Sequence, residues 1–144
     1  MSDEEKANLI IKGRCIVPGV KSGIALVCTR ALSAAGGIDP NTGKIIETRH
    51  PQKGEFVKRK ILIFPNGKGS SGFSLIFHVL TLMGNAPKAM IIGKINSLTA
   101  LAAVAGNIPT VGDPFDLERN PLNVIKTGDK LQVDATNGLI FKIS

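Results

Sequence analysis

Aromatic residues are scarce in this sequence, which contains no tryptophan, no tyrosine and only six phenylalanines. Proteins that bind single-stranded nucleic acids stack the bases on aromatic side chains, so this composition disfavours that class. The densest basic run, Lys58-Arg59-Lys60, directly precedes an apolar segment, and we interpret it as the solvated start of a strand. The net charge of +7 and the pI of about 9.7 therefore predict an anionic small molecule or an acidic protein surface as partner, and no nucleic acid.

Cysteines and long apolar runs are scarce as well. Cys15 and Cys28 match no zinc-binding spacing and are too few for an iron–sulfur cluster, so we expect reduced thiols and no metal bound by this chain alone. No apolar run approaches the roughly 18 residues that cross a membrane. Residues 1–6 are acidic and polar, which is not typical of a secretory signal, and residues 1–8 are expected to be flexible. We therefore expect a flexible N-terminus, a cytoplasmic location and no membrane contact.

Hydrophobic periodicity predicts one α/β domain over residues 1–144, with mixed sheets and two central helices. Apolar residues at helical spacing predict a helix over 71–84, ended by Gly84, and an Ala-rich segment predicts a second helix over 97–105, capped by Ser97. Short apolar or alternating runs predict strands over 9–17, 23–29, 44–48, 60–65, 88–93, 108–111, 129–134 and 138–143. The stretch 112–127 is polar and rich in turn residues.

The segment from Pro65 to Phe73 (PNGKGSSGF) is the most informative one, because it lies between a predicted buried strand and a predicted helix. Glycines allow the backbone to approach a ligand closely, and the free N–H groups of a helix N-terminus favour an anion. Ser70 and Ser71 can therefore cap the helix, bind an anion or transfer a proton. The residues alone leave these roles open.

Three known motifs can be compared with this segment. Its glycines match G-x-G-x-x-G formally, but the acidic residue that a dinucleotide site needs about 20 positions later is absent. A P-loop requires glycine at the position of Leu62 and a serine or threonine after Lys68, where Gly69 stands. The G-x-S-x-G elbow of serine hydrolases is missing too, so acyl transfer is disfavoured.

The Gly-Lys-Gly-Ser-Ser run at 67–71 resembles the glycine–serine loop in the swivel domain of aconitases, and the wider pattern is similar to the small subunit of the aconitase X family. The matching stretches span roughly residues 9–143 and comprise Gly36–Pro40 with Gly43, His50-Pro51 with Gly54, Ile63–Pro65, 67–71, Ala86-Pro87 and Gly106–Thr110. This resemblance implies a swivelling β/β/α domain that docks on a large subunit, forming a heterodimer. It also implies that a 4Fe–4S cluster is held by that large subunit.

The resemblance further implies a hydro-lyase that is active only with its large subunit and in which Ser70 is the proton acceptor. By the same matches, the candidates for binding the substrate are Gly69, Ser71, Lys68, Asp39 and His50. The stretches Asn120-Pro121 and Thr127–Asp129 are similar to members that dehydrate (R)-5-phosphomevalonate to trans-anhydromevalonate 5-phosphate, in an archaeal mevalonate route to isoprenoids.

Several alternatives remain open at this stage. A small subunit that dehydrates cis-3-hydroxy-L-proline would use the same serine, and a non-catalytic swivel binding module would use neither serine. Gly72 stands where aconitases carry an arginine that binds a substrate carboxylate, so citrate and isocitrate are not expected substrates. Asp39 also fits an Asx-type turn before Pro40, and His50, in a loop expected to be exposed, is equally ambiguous.

Overall fold

The computed structural model of the chain describes residues 7–69, 72–114 and 121–143. None of the helices in these ranges combines the length and the apolarity that a bilayer-spanning helix needs. The helices are α1 (Gly72–Leu82), α2 (Ser97–Gly106) and α3 (Pro121–Val124). The strands are β1 (Ala7–Lys12), β2 (Arg14–Val17), β3 (Val20–Val27), β4 (Leu32–Ser33), β5 (Ile38–Asp39), β6 (Lys44–Ile45), β7 (Ile61–Phe64), β8 (Gly67–Lys68), β9 (Ala89–Ile92), β10 (Thr110–Gly112), β11 (Lys130–Asp134) and β12 (Leu139–Ile143).

The main sheet has eight strands in the order β1-β12-β11-β3-β7-β9-β10-β2. The centre, β3-β7-β9-β10, is parallel, while the pairs on either side are antiparallel. The single strand predicted over 9–17 is wrong, because Gly13 divides it into β1 and β2 at opposite edges of the sheet. Since a Cβ on Gly13 would lie 2.8 Å from Gly112 O, only glycine fits at this division. The sheet must therefore curl round to bring its two edge strands together.

Two hydrophobic cores lie on opposite faces of the parallel strands, because successive strand residues point to opposite sides. Along β7, Ile61 and Ile63 pack into the core that also contains residues of β1, β11 and β12, whereas Leu62 and Phe64 pack towards the helices. The continuous apolar run at 60–65 is explained by burial on both faces. These three layers confirm the predicted β/β/α arrangement and its mixed sheet.

Helices α1 and α2 form the outer layer and pack against each other. Helix α1 buries Phe73, Phe77 and Leu80, and the rings of the two phenylalanines are 5.3 Å apart between centroids. The predicted cap of α2 is off by one residue, because Asn96 and not Ser97 is the N-cap. The Asn96 side chain accepts a hydrogen bond from Thr99 N–H, and the Thr99 hydroxyl accepts one from Asn96 N–H, which is a capping box.

Residues 1–6 of the predicted flexible N-terminus lie outside the described ranges, and Ala7 and Asn8 belong to β1. The strands predicted over 129–134 and 138–143 are confirmed as β11 and β12, which pair antiparallel. A single 3₁₀ turn over Ala135–Asn137 joins these strands, and Gly138 follows it with a φ of 69°. That left-handed conformation favours glycine.

The carboxyl ends of the four parallel strands all lie along one edge of the sheet, which is distinct from the edges formed by the outer strands β1 and β2. There β3 is followed by 28–30, β7 by 65–69, β9 by 93–96 and β10 by 113–114. In parallel α/β sheets this edge is where ligands bind, because loops and helix N-termini converge on it. The segment singled out in the sequence therefore lies where the topology predicts a site.

Candidate functional site

The serine loop, defined here as residues 65–71, is held by a short parallel ribbon at this edge. Strand β8 within the loop pairs with β4, so that Leu32 lies opposite Gly67 and Ser33 lies opposite Lys68. The Leu32 N–H donates to the Asn66 carbonyl at 3.0 Å. Ser70 and Ser71 themselves lie outside the described residues, so their expected roles stay predictions.

Gly67 is packed tightly against both helices. A Cβ at this position would lie 2.7 Å from Thr99 Cγ2 and 3.0 Å from the ring of Phe73. The Asn96 side-chain amide also donates to the Gly67 carbonyl at 3.1 Å. Any side chain larger than hydrogen would therefore push the start of the serine loop away from α1 and α2.

Gly69 gives the loop its backbone direction just before Ser70. Its φ of 112° lies in a region that L-residues with a side chain rarely adopt. A Cβ there would lie 3.3 Å from Ser33 Oγ, so strand β4 also lies directly against this residue. The Gly69 backbone is consequently open to a ligand on its exposed side.

Lys68 supplies a positive charge at the loop, and Glu47 orients it. The Lys68 ammonium lies 3.4 Å from Glu47 Oε2, and its side chain is 54% exposed while that of Glu47 is only 19% exposed. Arg30 and Lys94 are exposed at the same edge of the sheet and make no ion pair with the residues that the structure describes. This edge therefore presents an excess of positive charge that suits an anionic ligand.

Asp39 begins the turn that joins the two short antiparallel strands β5 and β6. Its carboxylate accepts from Asn41 N–H at 2.9 Å, and its carbonyl accepts from Gly43 N–H at 2.7 Å. The next carbonyl, of Pro40, accepts from the side chain of Asn85, which follows the C-terminus of α1. The structure thus gives Asp39 the Asx turn that the sequence allowed, and it places this turn beside the end of α1 that is remote from the serine loop.

His50 is buried, and the expectation of an exposed loop is wrong. The residue is only 5% exposed, and both of its ring nitrogens have partners. Nδ1 accepts from Gln52 N–H at 3.0 Å, so the proton resides on Nε2, which faces the Arg30 carbonyl at 3.4 Å. His50 therefore joins the 47–54 turn to the end of β3.

The two cysteines do not fit a metal or cluster site. Cys15 is exposed on an edge strand, whereas Cys28 is buried at the end of β3. Burial, reinforced by the Glu47 and Glu55 carboxylates, raises the pKa of the Cys28 thiol from 9.0 to about 12, which disfavours the thiolate that a metal requires. Within the described ranges, no group of three or more His, Cys, Asp and Glu side chains is placed to hold a metal ion.

The sequence did not single out three residues that support the loop, namely Ser33, Glu47 and Asn96. Asn96 could have been found, since Asn-x-x-Thr before an apolar run resembles a capping box. Ser33 and Glu47 are separated from Lys68 by 35 and 21 positions in the sequence, and no local pattern marks them. Their role depends on tertiary contacts alone.

Comparison with known proteins agrees with this geometry. Residues 10–142 match the family model for the aconitase X swivel domain. The chain is 45% identical over 130 residues to the phosphomevalonate dehydratase small subunit of Methanocella arvoryzae, covering 90% of this chain and 96% of the relative. It is 43% identical over 128 residues to the subunit of the same name from Thermococcus sibiricus, covering 89% and 94%. The crystal structure of Thermococcus kodakaraensis aconitase X in its holo-form superposes with a TM-score of 0.86 at 35% identity, covering 93% of this chain and 98% of that one.

Proposed function

The chain belongs to the aconitase X swivel-domain family, and on that basis we propose that it is the small subunit of a hydro-lyase. The reaction proposed is the loss of water from (R)-5-phosphomevalonate, giving trans-anhydromevalonate 5-phosphate in an archaeal mevalonate pathway. Relatives that carry the name phosphomevalonate dehydratase small subunit, at up to 45% identity over 90% of this chain, are the observation that supports it most directly. We further propose that residues 1–144 act as one swivel domain in the cytoplasm.

In this proposal Ser70 Oγ accepts the proton that the substrate loses. A serine hydroxyl does not ionise near neutral pH by itself, so the loop must stabilise the developing alkoxide. The N-terminus of α1 at Gly72 and the Lys68 ammonium are close in sequence to Ser70 and carry positive potential, and Gly69 has no side chain that would cover this part of the loop. Gly69, Ser71 and Lys68 would then contact the substrate, whereas Asp39 and His50 would act by holding their own loops.

Departure of the substrate hydroxyl group, the other part of the elimination, is assigned to the large subunit. A 4Fe–4S cluster bound there would supply the Lewis acidity that helps the substrate hydroxyl to leave. The serine loop must therefore face the large subunit, with the substrate between them. The small subunit on its own is expected to be folded, colourless and inactive.

The anionic substrate fits the charge of the proposed site. A phosphate group is bound well by lysine and arginine side chains and by free backbone N–H groups. Lys68, with Arg30 and Lys94 along the same edge, would provide these charges in a chain whose Gly72 lacks the carboxylate-binding arginine of aconitases. A phosphorylated substrate is thus favoured over a tricarboxylate.

The test is a co-expressed complex of this chain with an aconitase X large subunit, assayed anaerobically with 5-phosphomevalonate. Replacing Ser70 by Ala should lower kcat by about three orders of magnitude or more while the complex and its iron content persist. Ser97→Ala is the matched control, because it makes the same change at an exposed position that does not cap α2. Retention of the Ser70→Ala rate within about tenfold would exclude Ser70 as the base, and turnover of cis-3-hydroxy-L-proline in place of 5-phosphomevalonate would overturn the substrate.

A further inference from the structure

We infer that Glu47 is a positioning residue that fixes the serine loop by clamping the ribbon of β4 and β8. The inference deepens the proposed function and rests on it. Glu47 acts through Ser33 on one strand of the ribbon and through Lys68 on the other.

The first contact satisfies a backbone group that the ribbon leaves unpaired. Leu32 N–H donates across the ribbon to Asn66, so the N–H of the next residue, Ser33, points to the opposite side. There Glu47 Oε1 accepts it at 3.2 Å. Because this N–H is partly buried, removing the carboxylate would leave it without a partner and would favour a shift of β4.

The second contact ties the same carboxylate to the other strand. Glu47 Oε2 lies 3.4 Å from the ammonium of Lys68, which is the residue opposite Ser33 in the ribbon. One side chain therefore spans both strands at the point where the chain continues into Gly69 and Ser70. Since the Glu47 carboxylate is largely shielded from water, this pair is screened less than a fully exposed one.

Ser33 transmits its position to the serine loop through close packing. Its hydroxyl oxygen lies 3.3 Å from the place where a Cβ of Gly69 would stand. On the other side, a Cβ on Gly37 would lie 1.8 Å from the Ser33 carbonyl oxygen, so the backbones touch there as well. Ser33 is thus packed between Gly37 and Gly69, so a shift of Ser33 towards the serine loop would displace the residue that precedes Ser70.

Glu47 can serve as a clamp because its own backbone is fixed. Its N–H donates to the Gly37 carbonyl at 3.3 Å, and its carbonyl accepts from His50 N–H at 3.1 Å. The buried His50 holds this turn to the end of β3. The carboxylate is therefore presented to Ser33 and Lys68 from a rigid support.

The experiment uses the co-expressed complex and compares Glu47→Ala with Glu47→Gln and with Glu55→Ala as control. Glu55 is the matched carboxylate, because it also lies near Cys28 but is exposed, and its carboxylate makes no hydrogen bond or ion pair with the ribbon among the described residues. Turnover of 5-phosphomevalonate and hydrogen–deuterium exchange of a peptide over 65–69 are measured on the same preparations. A small misplacement of reacting groups can cost about 100-fold in rate, so Glu47→Ala should lower kcat by about 10- to 100-fold and leave KM within about threefold.

Exchange in the 65–69 peptide should become at least about tenfold faster in Glu47→Ala, because the ribbon is loosened. Glu47→Gln should restore kcat to within about threefold of wild type, since its amide oxygen can still accept from Ser33 N–H. A Glu47→Ala variant that matches Glu55→Ala in both readouts would refute the inference. A fall in kcat with unchanged exchange would also refute it, because Glu47 would then act on the substrate itself.

These readouts separate the inference from the proposed function. If the wild-type complex does not dehydrate 5-phosphomevalonate, the proposed function fails, while the exchange comparison still decides whether Glu47 fixes the loop. If the wild type is active and the exchange of 65–69 is the same in all variants, the clamp fails and the proposed function stands.

Discussion

Gly67→Ala tests whether the serine loop is held as tightly against the helices as the structure indicates. The added Cβ would lie 2.7 Å from Thr99 Cγ2 and 3.0–3.1 Å from two ring atoms of Phe73. The backbone of Gly67 needs no left-handed conformation, so the effect of this substitution is steric alone. Either the helices or the start of the loop must move to accommodate the methyl group.

The cost can be estimated from the overlap. Ordinary Cβ contacts are 3.4 Å or longer, so the Thr99 methyl group must give way by several tenths of an ångström. Overpacking of this size in a well-packed region costs about 1–3 kcal/mol of the free energy of unfolding. Gly23→Ala is the control, because its Cβ would meet only side-chain atoms at 3.3 Å or more, and we expect a change within about 0.5 kcal/mol.

Thr99→Ser provides a specific rescue. It removes the clashing Cγ2 but keeps the Oγ1 that completes the capping box with Asn96. Alone it should cost about 1 kcal/mol for the lost buried methyl group. The double variant should be less destabilised than the two single variants predict. Its loss of unfolding free energy should be smaller than the sum of the two single losses by about 1 kcal/mol or more.

The assay is equilibrium urea unfolding of the small chain followed by far-ultraviolet circular dichroism, since the sequence offers neither tryptophan nor tyrosine as a fluorescent probe. The four variants of the cycle and the control are measured at one temperature and pH. Strict additivity of the two substitutions would show that Gly67 and Thr99 are not in contact. That result would refute the packing argument on which the fixed position of the serine loop depends.

Two further predictions concern buried polar groups. The pKa of the Cys28 thiol is raised from 9.0 to about 12 by burial, with Glu47 and Glu55 adding to the shift, so the folded chain keeps this proton longer than the unfolded chain. That contribution to stability is complete below pH 9 and is lost towards pH 12. Over this range the unfolding free energy of wild type should therefore fall more steeply with pH than that of Cys28→Ala, by up to about 1.4 kcal/mol per pH unit. Equal slopes for the two proteins would contradict the prediction. His50→Ala should lower the unfolding free energy by about 2–3 kcal/mol, because two ring contacts and a buried side chain are lost. It should leave the KM for 5-phosphomevalonate unchanged, and a raised KM with unaltered urea unfolding would return His50 to the substrate site.

Elements whose pattern is local could be predicted from the sequence. The apolar runs at 60–65 and 88–93 correspond to β7 and β9. A strand that is buried on both faces is apolar at every position, so the run alone is enough to predict it. Helix α1 was predicted within two residues at each end from its spacing and from Gly84, which has a φ of 73° and stops the chain from continuing as a helix.

Elements that depend on distant partners could not be predicted. The division of 9–17 at Gly13 exists because two distant residues approach the backbone there: Gly112 of β10, 99 positions away, and Gly138 of the turn before β12, 125 positions away. The two-residue strands β4 and β8 have no periodicity to detect, since each is defined only by the other. His50 was assigned to an exposed loop because it precedes proline, whereas it is only 5% exposed and its ring contacts Gln52 and Arg30.

The same distinction applies to the candidate site and limits what its motif can establish. The Gly-Lys-Gly-Ser-Ser run is contiguous and can be recognised in any sequence, but the residues that hold it come from elsewhere in the chain. Asn96 binds the carbonyl of Gly67, and Glu47 binds both Ser33 and Lys68. A sequence that carries the run without a donor at position 96 and an acceptor at position 47 would present its serine on a loosely held loop, where the geometry that proton transfer demands is not maintained. The run should therefore be taken as evidence of a functional serine only together with the residues that fix the ribbon beneath it.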